Sequence, residues 1–166
     1  HLEAGAKRVL VSAPAGGVWK TIDNGTTWTN SIAGLPRLGV SSIVIHPTNP
    51  DIIYIGTGDR DGGDAPGYGV WRSLDGGLTW AAHNTGMGNR TVYEILMHPS
   101  NSDIMIASTN NRIYRTVNGG ETWERVLYVD NITGASSLSM DMKNPLILYA
   151  AMWQHQRFPW KIESGG

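Results

Sequence analysis

The sequence predicts an all-β fold of repeated four-stranded antiparallel sheets, and three observations predict it. A short pattern recurs three times: Thr21-x-Asp23-x-Gly25-x-Thr27-Trp28, Ser73-x-Asp75-x-Gly77-x-Thr79-Trp80 and Thr116-x-Asn118-x-Gly120-x-Thr122-Trp123. A second element recurs around these boxes, a β-rich run, a turn of Pro, Asn, Ser or Lys, and another β-rich run, over 43–56, 95–107 and 138–150. No stretch carries an apolar period of 3.6 residues over three turns, so helices are not expected. Four short strands in a unit of roughly 40 to 50 residues are the pattern of a β-propeller blade.

Each element follows from its residues. The two β-rich runs around each Pro/Asn turn form strands A and B of a blade. Gly69-Val70-Trp71-Arg72-Ser73 and Arg112-Ile113-Tyr114-Arg115-Thr116 supply strand C, the box supplies the C–D turn, and strand D begins at the box Trp. The strand order is then B-C-D, A-B-C-D, A-B-C-D, A-B-C. That gives about three and a half blades, near 7–34, 38–86, 90–133 and 135–166, with 1–6 read as an N-terminal extension or tag remnant. The C-terminal Trp160 to Gly166 aligns under Trp71 to Gly77 as a cut-off fourth box with Ser164 at the acid position, and Trp160 then falls in strand C as interface packing. A part of a larger propeller is the expected reading. Its open blade faces give it a reason to self-associate.

Spacing separates a constant face from a variable one. From Asp23 to His46, Asp75 to His98 and Asn118 to Asp141 the separation is 23 residues each time. From His46 to Asp75 it is 29, from His98 to Asn118 it is 20, and from Asp141 to Ser164 it is 23. The variation falls in the B–C loops, on the face opposite the boxes, and elaborated loops on a rigid scaffold are where ligands bind.

Two such loops are candidate sites. Asp59, Asp61 and Asp64 form a D-x-D-x-x-D cluster beside Arg60, and hard oxygen donors at that density suit Ca²⁺, a ligand contact, or a solvated acidic loop. Trp153, His155 and Arg157, with Gln154 and Phe158, put aromatic faces beside hydrogen-bonding groups, as saccharide subsites do. A glycosidase needs two carboxyls about 5 to 9.5 Å apart. The carboxyls on that face are Asp59, Asp61 and Asp64, with Asp130 and Glu94 behind them; Asp59 and Asp61 are the weak catalytic candidates, and nothing in the sequence pairs them.

The boxes themselves read as scaffolding. A carboxylate ahead of a glycine turn accepts backbone N–H groups and pins the hairpin, while the hydroxyl and the indole fill the blade interface. Asp23, Asp75, Trp28, Trp80 and Trp123 are therefore expected to be structural, and Asn118 and Ser164 to hold their turns less tightly. His46 and His98, replaced by Asp141 in the third copy, read as turn residues, and His83 as an exposed loop residue.

Composition excludes several classes. A net charge of −1 among 166 residues gives no basic stripe for nucleic acid. The chain lacks cysteine, which rules out disulfides and thiolate zinc sites. No apolar run approaches the ~18 residues of a membrane helix.

The boxes, with His46-Pro47-Thr48-Asn49-Pro50-Asp51-Ile52-Ile53-Tyr54-Ile55-Gly56-Thr57, resemble the Asp-box or bacterial neuraminidase repeat and look like sortilin-type propellers and xyloglucan-cleaving glycoside hydrolases. The resemblance implies a secreted, surface-exposed or periplasmic protein with its ligand face opposite the boxes. It also implies a non-catalytic module that binds a glycan, peptide or protein, with a fragment of a xyloglucanase- or sialidase-like hydrolase as the alternative. The sialidase arginine segment is missing, since Pro36-Arg37-Leu38 does not match it.

Overall fold

The computed structural model describes residues 8–13, 16–31, 33–35, 39–59, 65–158 and 160–165, which contain fourteen strands and no helix. They form four antiparallel sheets. Blade 1 holds β1 (Val9–Ala13), β2 (Gly17–Thr21) and β3 (Thr29–Asn30), and blade 2 holds β4 (Val40–Ile45), β5 (Ile53–Thr57), β6 (Val70–Ser73) and β7 (Ala81–Ala82). Blade 3 holds β8 (Val92–His98), β9 (Asn101–Thr109), β10 (Ile113–Thr116) and β11 (Glu124–Leu127), and blade 4 holds β12 (Thr133–Met140), β13 (Leu148–Phe158) and β14 (Lys161–Gly165). Within each sheet the strands follow chain order, so the lettering read from the sequence matches the sheets.

The core lies between the blades. Leu10, Val18, Val40, Ile53, Ile55 and Trp80 fill the junction of blades 1 and 2. Tyr54, Val70, Val92, Ile95, Met105, Tyr114 and Trp123 fill that of blades 2 and 3, and Ile106, Ile113, Ala135 and Leu138 that of blades 3 and 4. A strand flanked by two blades buries both its faces, and every residue of β5 is buried. Its sequence Ile-Tyr-Ile-Gly-Thr is accordingly near-continuously apolar instead of alternating. Gly56 is fixed by contact, because a Cβ there would stand 2.7 Å from Val92 Cγ1 on the next inner strand.

The inner strands share one irregularity. The β4–β5, β8–β9 and β12–β13 ladders each slip by a residue, at Ser41, Tyr93 and Ser136, the same position of the repeat. A bulge at the rim of a sheet bends and twists the strand. Just beyond it a side chain reaches the next blade: Ser42 Oγ accepts the Ile95 amide at 3.0 Å, and Glu94 Oε2 accepts the Leu138 amide at 2.7 Å.

Antiparallel order gives the chain two rims. The A–B hairpins and the boxes lie on one, and the Gly76 and Gly119 amides bond back to the Asp51 and Asp103 carbonyls, each at 2.9 Å. The B–C and D–A loops lie on the other.

Candidate functional site

On the box rim, polar groups are used up in holding turns. In blade 1 the Thr21 hydroxyl donates to Asp23 Oδ1 (2.7 Å) and accepts the Gly25 amide (3.0 Å), while Asp23 accepts the Thr27 amide (2.8 Å) and hydroxyl (2.7 Å). Ser73, Asp75, Gly77 and Thr79 repeat this at 2.7, 2.8, 2.9 and 2.6 Å. Gly25, Gly77 and Gly120 all take positive φ, at 94°, 85° and 87°, which explains glycine at that position. The hydroxyl of Thr27 and then its amide hold the Asp23 carboxyl down at about 2, and Thr79 does the same for Asp75. A carboxylate so stabilised is a poor proton donor or acceptor at neutral pH.

Asn118 closes its turn with a neutral amide. Its Oδ1 accepts the Thr122 amide at 3.0 Å, and its Nδ2 donates to the Thr122 hydroxyl at 2.9 Å. The amide reverses one hydrogen bond of the turn instead of losing it. Ser164, expected in a fourth box turn, lies within β14 opposite His155.

The histidines before proline act as turn acceptors. His46 Nδ1 accepts the Thr48 and Asn49 amides at 3.3 and 3.2 Å, and His98 Nδ1 accepts the Ser100 amide at 3.3 Å. Asp141 Oδ1 does the same for Lys143 and Asn144, at 2.8 and 3.1 Å. His83 is not an exposed loop residue: its largely buried ring meets the Gly119 carbonyl through Nε2 at 3.0 Å.

The other rim carries the candidates. The long B–C loop of blade 2 has a tied base, where the Thr57 hydroxyl donates to Gly69 O at 2.7 Å and accepts the Tyr68 amide at 2.8 Å. The Gly58 amide reaches Gly39 O and the Gly69 amide reaches Arg90 O, at 2.8 and 2.9 Å, so both flanking D–A loops grip it. Asp59 stands at its entry, half-buried, with its amide on Ala65 O at 2.9 Å. Arg60, Asp61 and Asp64 lie outside the described residues, so the proposed calcium set is not placed. Among the described residues no group of three metal-ligating side chains converges.

The second candidate stretch is a strand, not a loop. β13 pairs with β12 up to Gln154 and continues past it, pairing with β14 over Gln154 to Phe158. At about 3.3 Å per residue the hairpin stands roughly 13 Å beyond the end of β12. Trp153, 42% exposed, sits at its foot opposite Gly134. Trp160 is 76% exposed in the turn before β14 and does not fill the strand C interface position expected of it. The side chains of His155 and Arg157 lie outside the described part.

The remaining carboxyls are occupied. Glu94 serves the next blade, as described above. Asp130 accepts the Ile132 and Thr133 amides at 2.8 and 2.6 Å and the Thr133 hydroxyl at 2.9 Å, and the Ile132 amide chiefly lowers its pKa.

An arginine cluster that the sequence did not reveal stands on the same rim. Asn111, at the tip of the blade 3 B–C loop and 8% exposed, accepts Arg112 Nη1 at 2.7 Å and Arg90 Nη1 at 3.3 Å on one oxygen. The Arg112 and Arg125 guanidiniums stand over the Tyr128 ring at 4.9 and 5.4 Å from its centroid, and Arg90 lies 6.0 Å from that of Tyr114. Among the described residues no carboxylate comes within 4.0 Å of any of the three, and Arg90 Nε is buried without a partner. Two guanidiniums sharing one acceptor repel each other. Stacking on Tyr128 offsets part of that.

No family model matches the chain. Its sequence is 25% identical over 142 residues to xyloglucanase Xgh74A of Acetivibrio thermocellus, covering 67% of this chain. The chain spans only 16% of that relative's length. An ancestral GH74 enzyme superposes on 92% of the chain with a TM-score of 0.76 at 22% identity, the match taking in 21% of that enzyme. The fold is an arc of β-propeller. The extracellular domain of a hybrid two component system from B. thetaiotaomicron matches 95% of the chain, and 21% of its own, with a TM-score of 0.63 at 15% identity.

Proposed function

We propose that this chain is one arc of the propeller of a glycan-acting hydrolase of the GH74 xyloglucanase type, and that its loop rim forms part of the wall of a polysaccharide cleft. The observation that carries this reading is that the sequence relative is a xyloglucanase and the superposable solved enzyme a GH74 enzyme. It displaces the binding module as the first choice. An extracellular or cell-surface location follows from a polymer substrate.

In this reading the arc binds more than it reacts. Trp153 offers an aromatic face at the foot of the protruding hairpin, with His155 and Arg157 along it. Asp59, at the entry of the blade 2 loop, would border the cleft, with Arg60, Asp61 and Asp64 as further candidates for ligand contact and Asp59, Asp61 and Asp64 as the candidate Ca²⁺ set. Glu94 and Asp130 are committed to backbone amides, which leaves Asp59 and Asp61 as this arc's candidates for glycoside cleavage, with a partner carboxyl from another blade.

Affinity gel electrophoresis in xyloglucan, beside a gel without polysaccharide, tests the reading on the chain as it stands. Retardation that Trp153→Ala weakens by about tenfold in apparent affinity supports it. Equal mobility in both gels contradicts it. In the longer protein, release of reducing ends from xyloglucan should fall sharply in Asp59→Asn or Asp61→Asn while retardation persists.

A further inference from the structure

We propose that Arg90, Arg112 and Arg125 form a carboxylate-binding subsite for a uronate-bearing glycan on the loop rim of blade 3. The inference rests on the glycan reading above and adds a charge requirement to it. Three features carry it: the shared and buried Asn111 acceptor, the cations gathered over Tyr128, and the lack, among the described residues, of a carboxylate within 4.0 Å of any of the three guanidiniums. The three arginines come from the D–A loop after blade 2, the base of the blade 3 B–C loop and β11, so folding alone brings them together.

The chemistry points to an anion and not to a neutral sugar. A neutral pyranose needs an open aromatic face, whereas here guanidiniums stand over the Tyr128 ring. A carboxylate instead takes two parallel N–H bonds from one guanidinium and gains from every further cation nearby. Asn111 and Tyr128 fix Arg112 in advance, so less side-chain freedom is lost when the anion arrives. Arg125, exposed at the outer edge, steers and Arg112 grips.

The site adjoins the hairpin foot. Asn111 Nδ2 donates to Asn131 O at 3.4 Å, and a Cβ at Gly134 would stand 2.6 Å from Asn110 O, so the blade 3 loop lies directly against the start of β12. Trp153 pairs with Gly134 there. A glycan crossing Trp153 therefore passes the cluster, and a uronate on that glycan is the group with the right charge.

The experiment is a calorimetric titration of the chain with a β-linked oligosaccharide bearing one glucuronate, and with the same oligosaccharide after carboxyl reduction. The acidic form should bind about tenfold or more tightly, and the difference should shrink as salt rises. Arg112→Gln and the exposed Arg125→Gln should each remove most of the difference without weakening the reduced form, and Arg112→Lys should restore part of it. A melting temperature within a few degrees of the parent separates loss of the subsite from loss of fold. Equal affinity for the two sugars overturns the subsite and leaves the glycan reading standing. No binding of either sugar, with no retardation in xyloglucan, overturns both. Preference for an acidic peptide over the acidic sugar overturns the uronate assignment.

Discussion

The box of blade 1 and the boxes of blades 2 and 3 are the same turn in different surroundings. All three share two amide bonds within the turn, the glycine N–H onto the Ser or Thr hydroxyl and the Thr N–H onto Oδ1 of Asp23, Asp75 or Asn118. Their indoles do not behave alike. Trp80 and Trp123 are 5% and 3% exposed and donate Nε1–H to Ser31 O and His83 O of the preceding blade, at 3.0 and 2.9 Å. Trp28 is 40% exposed and donates to Gly25 O of its own turn at 3.1 Å, and no described strand stands on its other side. The box is therefore two devices. A local latch of hydroxyl and acid closes the turn wherever it stands, and an indole fastens the blade to the one before it.

That separation orders the expected effects. The largest belongs to the fasteners: Trp80→Ala or Trp123→Ala should cost about 3–5 kcal/mol in denaturant unfolding, since each empties a junction and orphans a carbonyl. Trp28→Ala should cost about 1 kcal/mol or less. Equal losses at the three positions would break the comparison.

Next come the latches. Asp75→Ala removes an acceptor of four hydrogen bonds in a solvent-accessible turn, and a loss of about 1–2 kcal/mol is expected from chemical denaturation. Because it is local, Asp23→Ala should cost nearly the same, unlike the tryptophan pair. A large gap between the two aspartates would merge latch and fastener into one device.

Acid should expose both. The Asp23 and Asp75 carboxyls lie near 2 in the folded chain against 3.8 unfolded, so their stabilisation is full above pH 3.8 and disappears as pH falls toward 2. Burial lowers the His83 pKa below 6.5, so its contribution is full above 6.5 and is lost as pH falls beneath that value. Stability measured from pH 7 downward should fall in two stages, with the upper stage missing in His83→Gln. A single stage confined below pH 4 would remove His83 from the account.

The smallest effect tests the reversed bond. Asn118→Asp restores a carboxylate whose neighbours already have the right geometry, so a gain of about 0.5 kcal/mol or less is expected. A gain above about 2 kcal/mol would mean the amide turn is poorly closed after all.

The repeat made the blades legible because each box and the next A–B turn are joined by elements of fixed length. The strand order followed from it, and so did the face carrying the loops. The strand order of the fourth blade is as expected, and only the register of its C strand differs from that of Trp71 in blade 2. There β14 pairs further along β13, which carries Trp160 out to the turn. His83 looked like an isolated loop residue because its acceptor, Gly119, lies on the neighbouring blade. The arginine cluster is hidden for a different reason: Arg90, Arg112 and Arg125 are unremarkable apart and meet only through Asn111 and Tyr128, where pairing within blade 3 brings distant segments together. What a sequence states poorly is contact between segments distant in the chain.

Hydrogen–deuterium exchange of the indole N–H groups, followed residue by residue in NMR, tests the fastening most directly. The Trp80 and Trp123 indole protons should exchange orders of magnitude more slowly than that of Trp28, approaching the rate set by global unfolding. Three equal rates, or a protected Trp28 beside a fast Trp80, would contradict it.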